Sequence, residues 1–409
     1  MFFKTKKYLG FFIILSFILF HSRSLVYASE VEDEISIVIA GDLYLGGLLR
    51  PYLREFGDDY PFELTKETLG NADLTIVNLE SPLTLSGVKF MEKQFILKAA
   101  PSMASALKRA SIDIVTLANN HIMDYGIVGL RDTLKALDSA GIKYAGAGAN
   151  ISSAREPATQ DIRGVRVALL SYSKTYPVEF YAGKNRAGTA PGYEGYLKKD
   201  VARAKATADI VIVAFHWGQG KMKTPKHYQV KLAHMAIDSG ADLVVGHHPH
   251  VPQPVEAYKD GLIFYSLGNF IFGTSPSTYE PKGIIGRITF KKSKDGVSLK
   301  AAYVYQLDVA NKRVNFRPRL ISNQETGSFL TKLREATTTT TPRRFGGKWF
   351  HLSEVLNFSE LEVSESVKSE ELDELGGTSD SSTPSLSKPL EPATLPNLEA
   401  RQPSNLSGG

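Results

Sequence analysis

Residues 241–250 read ADLVVGHHPH, and this stretch contains the pattern from which the fold can be predicted. Asp242 is followed by a short apolar run, and the run ends in Gly246 and three histidines. A continuous apolar run of this length is typical of a strand that is buried on both faces of a parallel sheet. Imidazoles are costly to bury without partners and are common metal ligands. We therefore expect a buried strand whose carboxyl end carries metal ligands.

The same plan recurs along the chain. Each further run is apolar and ends in polar groups: ISIVIAGD (35–42), ADLTIVNLE (72–80), SIDIVTLANNH (111–121) and ADIVIVAFHWG (208–218). In all but the first of these runs, an aspartate stands just before the apolar residues. Helical patterns lie between the runs: PSMASALKRA (101–110), VGLRDTLKALDSAG (128–141), GYLKKDVARAKATA (195–208) and PKHYQVKLAHMAIDSG (225–240). Alternating strands and helices predict an α/β layered fold with a largely parallel core.

Candidate metal ligands follow each predicted strand. In parallel sheets the ligand crevice lies beyond the carboxyl ends of the strands, where these side chains would meet. The donors at those ends are Asp42, Glu80, residues 119–121, His216 and the three histidines of residues 247–250. Because the chain has no cysteine, thiolate metal sites, disulfides and a lipid anchor on cysteine are excluded. Five strand ends with oxygen or nitrogen donors predict one shared metal site.

The N-terminus has the features of an export signal. Lys4, Lys6 and Lys7 precede the apolar run YLGFFIILSFILF (8–20), and Val26 and Ala28 are small residues suited to cleavage. The run is shorter than the roughly 20 residues that span a bilayer. We expect residues 1–28 to be a cleaved signal peptide, with a retained anchor as the alternative. The protein would then be exported, and periplasmic, extracellular or associated with the cell envelope.

The rest of the chain divides into a folded part and a tail. We predict one domain over residues 29–335, including an antiparallel hairpin around Asp295 and Gly296. Residues 336–409 begin with a threonine-rich linker and become acidic and then rich in Ser, Pro and Gly, which predicts a disordered tail. The net charge is +5, and a basic body favours an anionic ligand no more than it favours a plain solvated surface. We expect no nucleic-acid partner.

Six motifs occur in the order seen in CapA-type proteins, a family linked to poly-γ-glutamate and capsule synthesis. They are GDLYLGG (41–47), NLESPLT (78–84), LANNHIMDYG (117–126), FHWG (215–218), GHHPHVPQ (246–253) and YSLGNFIF (265–272). The chain resembles this family from about residue 35 to residue 309, and the family in turn resembles calcineurin-like metallophosphoesterases. The resemblance implies a four-layer α/β sandwich that holds two metal ions.

The resemblance also implies a role for each donor. Glu80 would take the place of the bridging carboxylate, and His121 would lie beside the substrate as the catalytic residue that protonates a leaving group. His247 is the less certain member of the histidine cluster. The implied metal ligands are Asp42, Glu80, Asn120, His216, His248 and His250. Such a set suits one or two ions of Mn²⁺, Fe or Zn²⁺ better than Mg²⁺, which prefers all-oxygen shells.

Four further residues are predicted to contact the substrate or to support the ligands: Tyr44, Trp217, Gln253 and Asn269. Tyr44 is a departure from the phosphoesterase pattern, which has a metal-binding histidine two residues after the first aspartate. Tyrosine is a poor substitute, so this departure puts ordinary phosphoesterase activity in question.

Three functions are compatible with these residues. The leading hypothesis is an exported CapA-like protein for synthesis, attachment or release of an anionic polymer, either polyglutamate or a polysaccharide, together with membrane-bound synthesis machinery. The second is a secreted metal-dependent hydrolase of phosphoester or amide bonds. The third is a polymer-binding scaffold without turnover, which Tyr44 favours.

Overall fold

The computed structural model describes residues 34–274, 282–321 and 329–336, and the backbone of four short strands after them. The predicted signal segment and most of the predicted tail lie outside these ranges. No helix within the described ranges is long and apolar enough to cross a membrane.

The described part of the chain contains twenty strands and nine α-helices. The strands are β1 (Glu34–Tyr44), β2 (Leu74–Leu79), β3 (Ile114–Thr116), β4 (Lys143–Ala145), β5 (Ala147–Gly148), β6 (Ala158–Ile162), β7 (Val165–Ser173), β8 (Gly188–Thr189), β9 (Ile210–His216), β10 (Leu243–His247), β11 (Val255–Tyr258), β12 (Gly261–Phe264), β13 (Asn269–Phe272), β14 (Lys282–Ser293), β15 (Gly296–Asp308), β16 (Arg319–Leu320), β17 (Thr338–Thr339), β18 (Arg343–Phe345), β19 (Lys348–Phe350) and β20 (Leu356–Asn357). The helices are α1 (Arg50–Phe56), α2 (Lys66–Gly70), α3 (Met103–Arg109), α4 (Gly126–Ala140), α5 (Ile151–Ala154), α6 (Glu194–Lys205), α7 (His227–Asp238), α8 (Asn311–Val314) and α9 (Phe329–Ala336).

Two large sheets form the centre of the fold. The first has the order β16-β15-β14-β1-β2-β3-β4, with β13 also beside β1. Strands β1 to β4 are parallel, and β14 and β15 form the predicted antiparallel hairpin. The second has the order β17-β11-β12-β10-β9-β7-β6, in which β7, β9, β10 and β12 are parallel.

Side chains alternate between two cores along the central strands, which makes the fold a four-layer sandwich. In β1, Ile37 and Ile39 lie in the core between the sheets, whereas Val38 packs towards the helices that cover the first sheet, α3 and α4. In β9, Ile212 lies in the same central core and Val213 packs against α6 and α7. Strands with this alternation are buried on both faces, which is why they read as continuous apolar runs. The predicted four-layer α/β sandwich is confirmed.

The aspartate at the start of each recurring run ties neighbouring strands together. Asp73 accepts a hydrogen bond from the backbone N–H of Ser36 at 2.8 Å, and Asp242 accepts one from Val211 at 2.8 Å. Asp113 accepts from Thr75 at 3.0 Å and Asp209 from Arg166 at 2.7 Å. A carboxylate just before one strand therefore satisfies a backbone N–H near the start of the strand beside it.

Two of the short strands described after residue 336 pair with the large sheets. Strand β17 lies parallel to β11, and β20 lies parallel to β15.

Candidate metal centre

The predicted ligands meet where the carboxyl ends of the parallel strands in one sheet face those in the other. Asp42 lies near the end of β1, and Glu80 directly follows β2. From the second sheet, His216 is the last residue of β9 and His248 directly follows β10. The backbone N–H of His248 donates to Oδ2 of Asp42 at 3.2 Å, across 206 residues of chain. The two sheets therefore build one site.

Two glycines allow the backbones around the site to approach closely. A Cβ on Gly246 would lie 1.9 Å from the carbonyl oxygen of Tyr265, and a Cβ on Gly41 would lie 2.0 Å from that of Gly268. Real side chains do not tolerate such contacts, so only glycine fits. Gly246 in this way sets the position of the histidines that follow it.

The histidine turn has unusual backbone geometry. His248 has a φ of 93° and His250 a φ of 60°, with Pro249 between them. Non-glycine residues rarely adopt positive φ, and such strain is concentrated at functional sites. Here it turns both imidazoles towards the carboxylates of Asp42 and Glu80.

Two sets of three donors share Glu80. One set is Glu80, His216 and His248, and the other is Asp42, Glu80 and His250; within each set the ligand atoms lie within 4.8 Å of one another. Nε2 of His216 is 3.6 Å from Oε1 of Glu80, and Nε2 of His250 is 3.7 Å from the same oxygen. The carboxylate of Glu80 thus lies between two potential ion positions.

The same oxygen is the clearest sign that the site fits metal ions. Glu80 is fully buried, and its Oε1 has no hydrogen-bond partner among the described residues. A buried carboxylate oxygen without a donor is strongly unfavourable. Carboxylate and imidazole donors in two sets around it suit divalent transition ions. The residues present therefore fit a pair of such ions.

Three amides orient the ligands. The amide of Asn78 donates to Oδ1 of Asp42 at 2.9 Å and lies 3.4 Å from Oε2 of Glu80. Oδ1 of Asn120 is 2.8 Å from Nε2 of His216, which places Asn120 beside the first donor set. Oδ1 of Asn269 is 3.0 Å from Nδ1 of His250. Partners of this kind fix the orientation of ligand side chains.

Burial and mutual charge divide the cluster into charged and neutral groups. Burial opposes ionisation of Asp42, but the neighbouring imidazoles of His247 and His250 outweigh burial and hold its pKa well below the usual range. For His250, burial is outweighed by the charges of Glu80 and Asp42, which raise its pKa to about 9. Burial raises the pKa of Glu80 well above the usual value, and the charge of Asp42 adds to this rise.

The other two histidines of the donor sets stay neutral. Burial lowers the pKa of His216 well below its usual value. Burial, with the charge of His250, lowers the pKa of His248 to about 3. Metal ions bind the neutral imidazole, so these two side chains hold the form that ligation needs.

A second polar pair lies beside the donor sets. Nδ1 of His121 is 2.8 Å from Oδ2 of Asp124, and its Nε2 is 3.9 Å from Oε1 of Glu80. Asp124 is buried, accepts from the backbone N–H of Leu97 at 2.6 Å, and pairs with Lys93 at 2.5 Å. These contacts hold the Nδ1 edge of the His121 imidazole and leave Nε2 directed towards Glu80.

Comparison with known sequences identifies the family. The family model described as bacterial capsule synthesis protein PGA_cap matches residues 36–274. The chain belongs to this family. The matched range includes every donor described above.

Two relatives illustrate the family's similarity to this chain. The chain is 36% identical over 248 residues to the capsule biosynthesis protein CapA of Bacillus anthracis, covering 59% of this chain and 60% of that protein. It is 33% identical over 278 residues to the PGA biosynthesis protein CapA of Bacillus subtilis strain 168, covering 66% of this chain and 73% of that protein. The match therefore spans less than two thirds of the length of the Bacillus anthracis protein.

Solved structures resemble the fold only distantly. The NAD nucleotidase of Haemophilus influenzae matches with a TM-score of 0.43 and 13% identity, over 83% of this chain and 67% of that chain. The 5'-nucleotidase precursor of Thermus thermophilus matches with a TM-score of 0.41 and 15% identity, over 74% of this chain and 57% of that chain. Likenesses of this size carry no argument about activity, and the four-layer assignment rests on the sheets and cores described above.

The structure brings the predicted ligands together, and their role as ligands stays a prediction. The gathered side chains are Asp42, Glu80, Asn120, His121, His216, His248 and His250. His247 also belongs to the cluster: it is buried, its Nδ1 is 3.3 Å from Oδ1 of Asp42, and neither ring nitrogen has a hydrogen-bond partner among the described residues.

Two predicted substrate contacts need correction. Trp217 is fully buried against Phe215, and its indole N–H donates to the carbonyl of Tyr265 at 2.9 Å. Gln253 is also fully buried, and its amide donates to the carbonyl of Met222 at 2.8 Å. Neither side chain reaches a surface that a substrate could touch, because packing behind β9 and β10 encloses both.

The other two predicted contacts lie close to the ligands. Asn269 supports His250 rather than standing apart from the metal site. Tyr44 is 5% exposed, and its ring packs edge-on against Phe272, whose ring in turn lies 4.9 Å from His250. Tyr44 therefore forms the wall behind the second donor set.

Three residues of the site were missed at the sequence level. Asn78 and Asp124 lie inside the motifs NLESPLT and LANNHIMDYG, so those motifs contained a signal that could have found them. Lys93 lies in an irregular segment between β2 and α3, and no sequence pattern points to it. Its role depends on the contact with Asp124, which only the folded chain creates.

Proposed function

We propose that this protein acts outside the cytoplasm on an anionic capsule-type polymer, such as poly-γ-glutamate, and that it cleaves or transfers a bond of that polymer with two divalent ions. One observation carries the proposal: Oε1 of Glu80 is buried and has no hydrogen-bond partner among the described residues, between two donor sets. The first set would use Glu80, His216 and His248, and the second Asp42, Glu80 and His250. Ions bound there would supply Lewis-acid chemistry and activate water.

The remaining steps belong to side chains of the protein. Asp124 accepts a hydrogen bond from Nδ1 of His121, which fixes the tautomer and leaves Nε2 to exchange a proton with a leaving group. Lys93 pairs with Asp124 and contacts Nδ1 of His121 at 3.2 Å, which holds both partners in place. Irregular segments around His121 exclude most solvent, since the side chain is only 9% exposed.

The choice of polymer rests on the family. The names of the relatives refer to capsule biosynthesis and to PGA biosynthesis. A further relative, a probable polyglutamine synthesis accessory protein of Mycobacterium tuberculosis, is 33% identical over 210 residues. The charged and apolar order of residues 1–28 supports export. Membrane-bound polymer synthesis machinery is the partner expected for such a protein.

Metal analysis combined with two substrates tests the proposal. The purified protein is analysed for Mn, Fe and Zn, and is then assayed on poly-γ-glutamate and on a generic phosphodiester, with and without chelator. We expect stoichiometric metal and chelator-sensitive cleavage of polyglutamate, lost in His248→Ala. Turnover of the phosphodiester alone would instead assign a phosphoester hydrolase, and a metal-free, fully active protein would contradict the proposal.

A polymer-binding scaffold is the second candidate, and Tyr44 favours it. Tyr44 offers no imidazole to the set of Asp42, Glu80 and His250, so this set has three donors among the described residues. A weakly held ion would limit turnover while leaving the polymer site intact. Polymer binding that persists in His248→Ala, with no turnover by the unmodified protein, would establish this role.

A further inference from the structure

A cavity of about 420 Å³ opens beside the metal centre. His248, a member of the first donor set, forms part of its wall. The other lining residues are Lys174, Thr175, Tyr176, Gly218, Lys226 and Tyr228. Apart from His248, none of these residues was identified as part of the site from the sequence. The cavity therefore connects the donor sets with a surface that carries positive charge.

Backbone hydrogen bonds fix the positions of the two lysines. Lys174 directly follows β7, and its backbone N–H donates to the carbonyl of His216 at 2.8 Å. Lys226 immediately precedes α7, and its backbone N–H donates to Oε1 of Gln229 at 2.9 Å. Both lysines thus start from fixed backbone positions on the wall of the cavity, although their side chains remain long and adaptable.

The lining of the cavity, as far as the structure describes it, includes two lysines and no carboxylate. Within residues 34–274, 282–321 and 329–336, no carboxylate forms an ion pair with Lys174 or Lys226; Nζ of Lys174 lies 5.6 Å from the ring centre of Tyr193 instead. Clefts lined by one sign of charge attract ligands of the opposite sign.

Tyr228 adds a directional hydrogen-bond donor. Its hydroxyl oxygen accepts the backbone N–H of Gly218 at 2.7 Å. A phenol that accepts one bond still has its own O–H to donate. Since Tyr228 lines the cavity, its O–H and the two ammonium groups can converge on the same anionic ligand.

We infer that this cavity binds the carboxylate groups of the polymer, and that Lys174 and Lys226 with Tyr228 hold the chain beside the metal centre. This inference rests on the proposed function and deepens it by naming the residues that recognise the substrate. A polymer that repeats a carboxylate in each unit can place one group against the lysines while a neighbouring bond lies at the donor sets. The lysines are therefore substrate-binding residues for an acidic polymer.

Binding of labelled poly-γ-glutamate oligomers to the full-length, metal-loaded protein tests the inference. We expect Lys174→Gln and Lys226→Gln each to raise the Kd by about two- to fivefold, which is the range for an exposed ion pair, and the double variant to combine the losses. The double variant should also show a weaker dependence of Kd on salt. Lys226→Arg should bind the oligomers about as tightly as the unmodified protein, because arginine keeps the positive charge. Lys135→Gln on the exposed face of α4 is the matched control, and metal content is measured in every sample.

The outcomes separate this inference from the proposed function. If the double variant binds polyglutamate as tightly as the Lys135→Gln control, the cavity is not the binding site. If the unmodified protein binds methyl-esterified polymer, or a polyphosphate in place of polyglutamate, the assignment to carboxylates is wrong. If binding is lost in the double variant but the metal-loaded protein never cleaves polyglutamate, the binding site stands and the catalytic proposal fails.

Discussion

Asp124 and His121 form a buried pair: Oδ2 of the carboxylate is 2.8 Å from Nδ1 of the imidazole. The same histidine turns its Nε2 towards Glu80 at 3.9 Å. The three residues therefore connect the interior of the first sheet with the donor sets. The geometry is that of an oriented general acid–base group, because Asp124 holds Nδ1 and Nε2 is directed towards the donor sets.

Asp124→Asn should reduce turnover by about 10²-fold, within the range attributed to general acid catalysis. The amide no longer fixes the tautomer of His121, while the metal ligands are untouched. Steady-state kinetics and metal analysis of the same sample check this expectation. Because Asp124 also binds Lys93, His121→Gln serves as a second variant with a similar expected loss. Asp295→Asn in the turn between β14 and β15 is the control; equal activity of Asp124→Asn and this control would contradict the role.

Glu80→Gln should lower metal content more than any other single change. Glu80 belongs to both donor sets, whereas His248 belongs to one. The metal-to-protein ratio, measured by mass spectrometry, should therefore fall at both positions in Glu80→Gln and at one in His248→Ala. A ratio in Glu80→Gln equal to that of the unmodified protein would show that Glu80 holds no ion.

Chelation should lower the thermal stability of the unmodified protein. An ion that binds only the folded state adds about 2.7 kcal/mol when its free concentration is about 100 times Kd. For a domain of roughly 300 residues that corresponds to a decrease in Tm of about 4 °C. Differential scanning fluorimetry with and without chelator measures it. In Glu80→Gln the chelator should leave Tm unchanged, and an equal decrease in both proteins would place the ion elsewhere.

Gly246→Ala should destabilise the fold by about 1–3 kcal/mol, as forced overpacking does. The new Cβ would lie 1.9 Å from the carbonyl oxygen of Tyr265 and 2.6 Å from Nε1 of Trp217. Relief of these contacts displaces the histidine turn, so metal affinity should fall as well. Denaturant unfolding gives the free energy. Gly195→Ala is the control, because a Cβ there meets nothing within 4 Å; comparable losses in both variants would refute the steric argument.

Trp217→Leu should affect stability and leave substrate affinity unchanged. The indole stacks on Phe215 with ring centres 4.4 Å apart and is fully buried, so its truncation removes packing and one hydrogen bond to Tyr265. The loss expected is about 3 kcal/mol, near the lower end for truncation of a large buried side chain. Chemical denaturation and the KM are measured on the same variant. A raised KM with unchanged stability would show that Trp217 contacts the substrate.

Local sequence patterns predicted most of the elements. The runs that became β1, β2, β3, β9 and β10 are apolar without interruption because both faces of each strand are covered. Their polar ends gave the donors, since residues at the carboxyl ends of parallel strands must lie at one edge. The recurring aspartates were visible as a pattern, but the sequence did not show what they bind. Each accepts a backbone N–H from a residue that is 31 to 43 positions away in the chain.

What the sequence determined by itself was the family, the layered fold and the residue types at each strand end, because apolar periodicity and motif order are properties of neighbouring residues. The tertiary structure alone decided which of those residues touch. It placed Asp124 and Lys93 behind His121, enclosed Trp217 and Gln253, and opened a lysine-lined cavity beside His248. Apart from Asp124 and His121, which belong to one motif, these contacts join residues that are distant in the chain, and a local pattern relates only near neighbours.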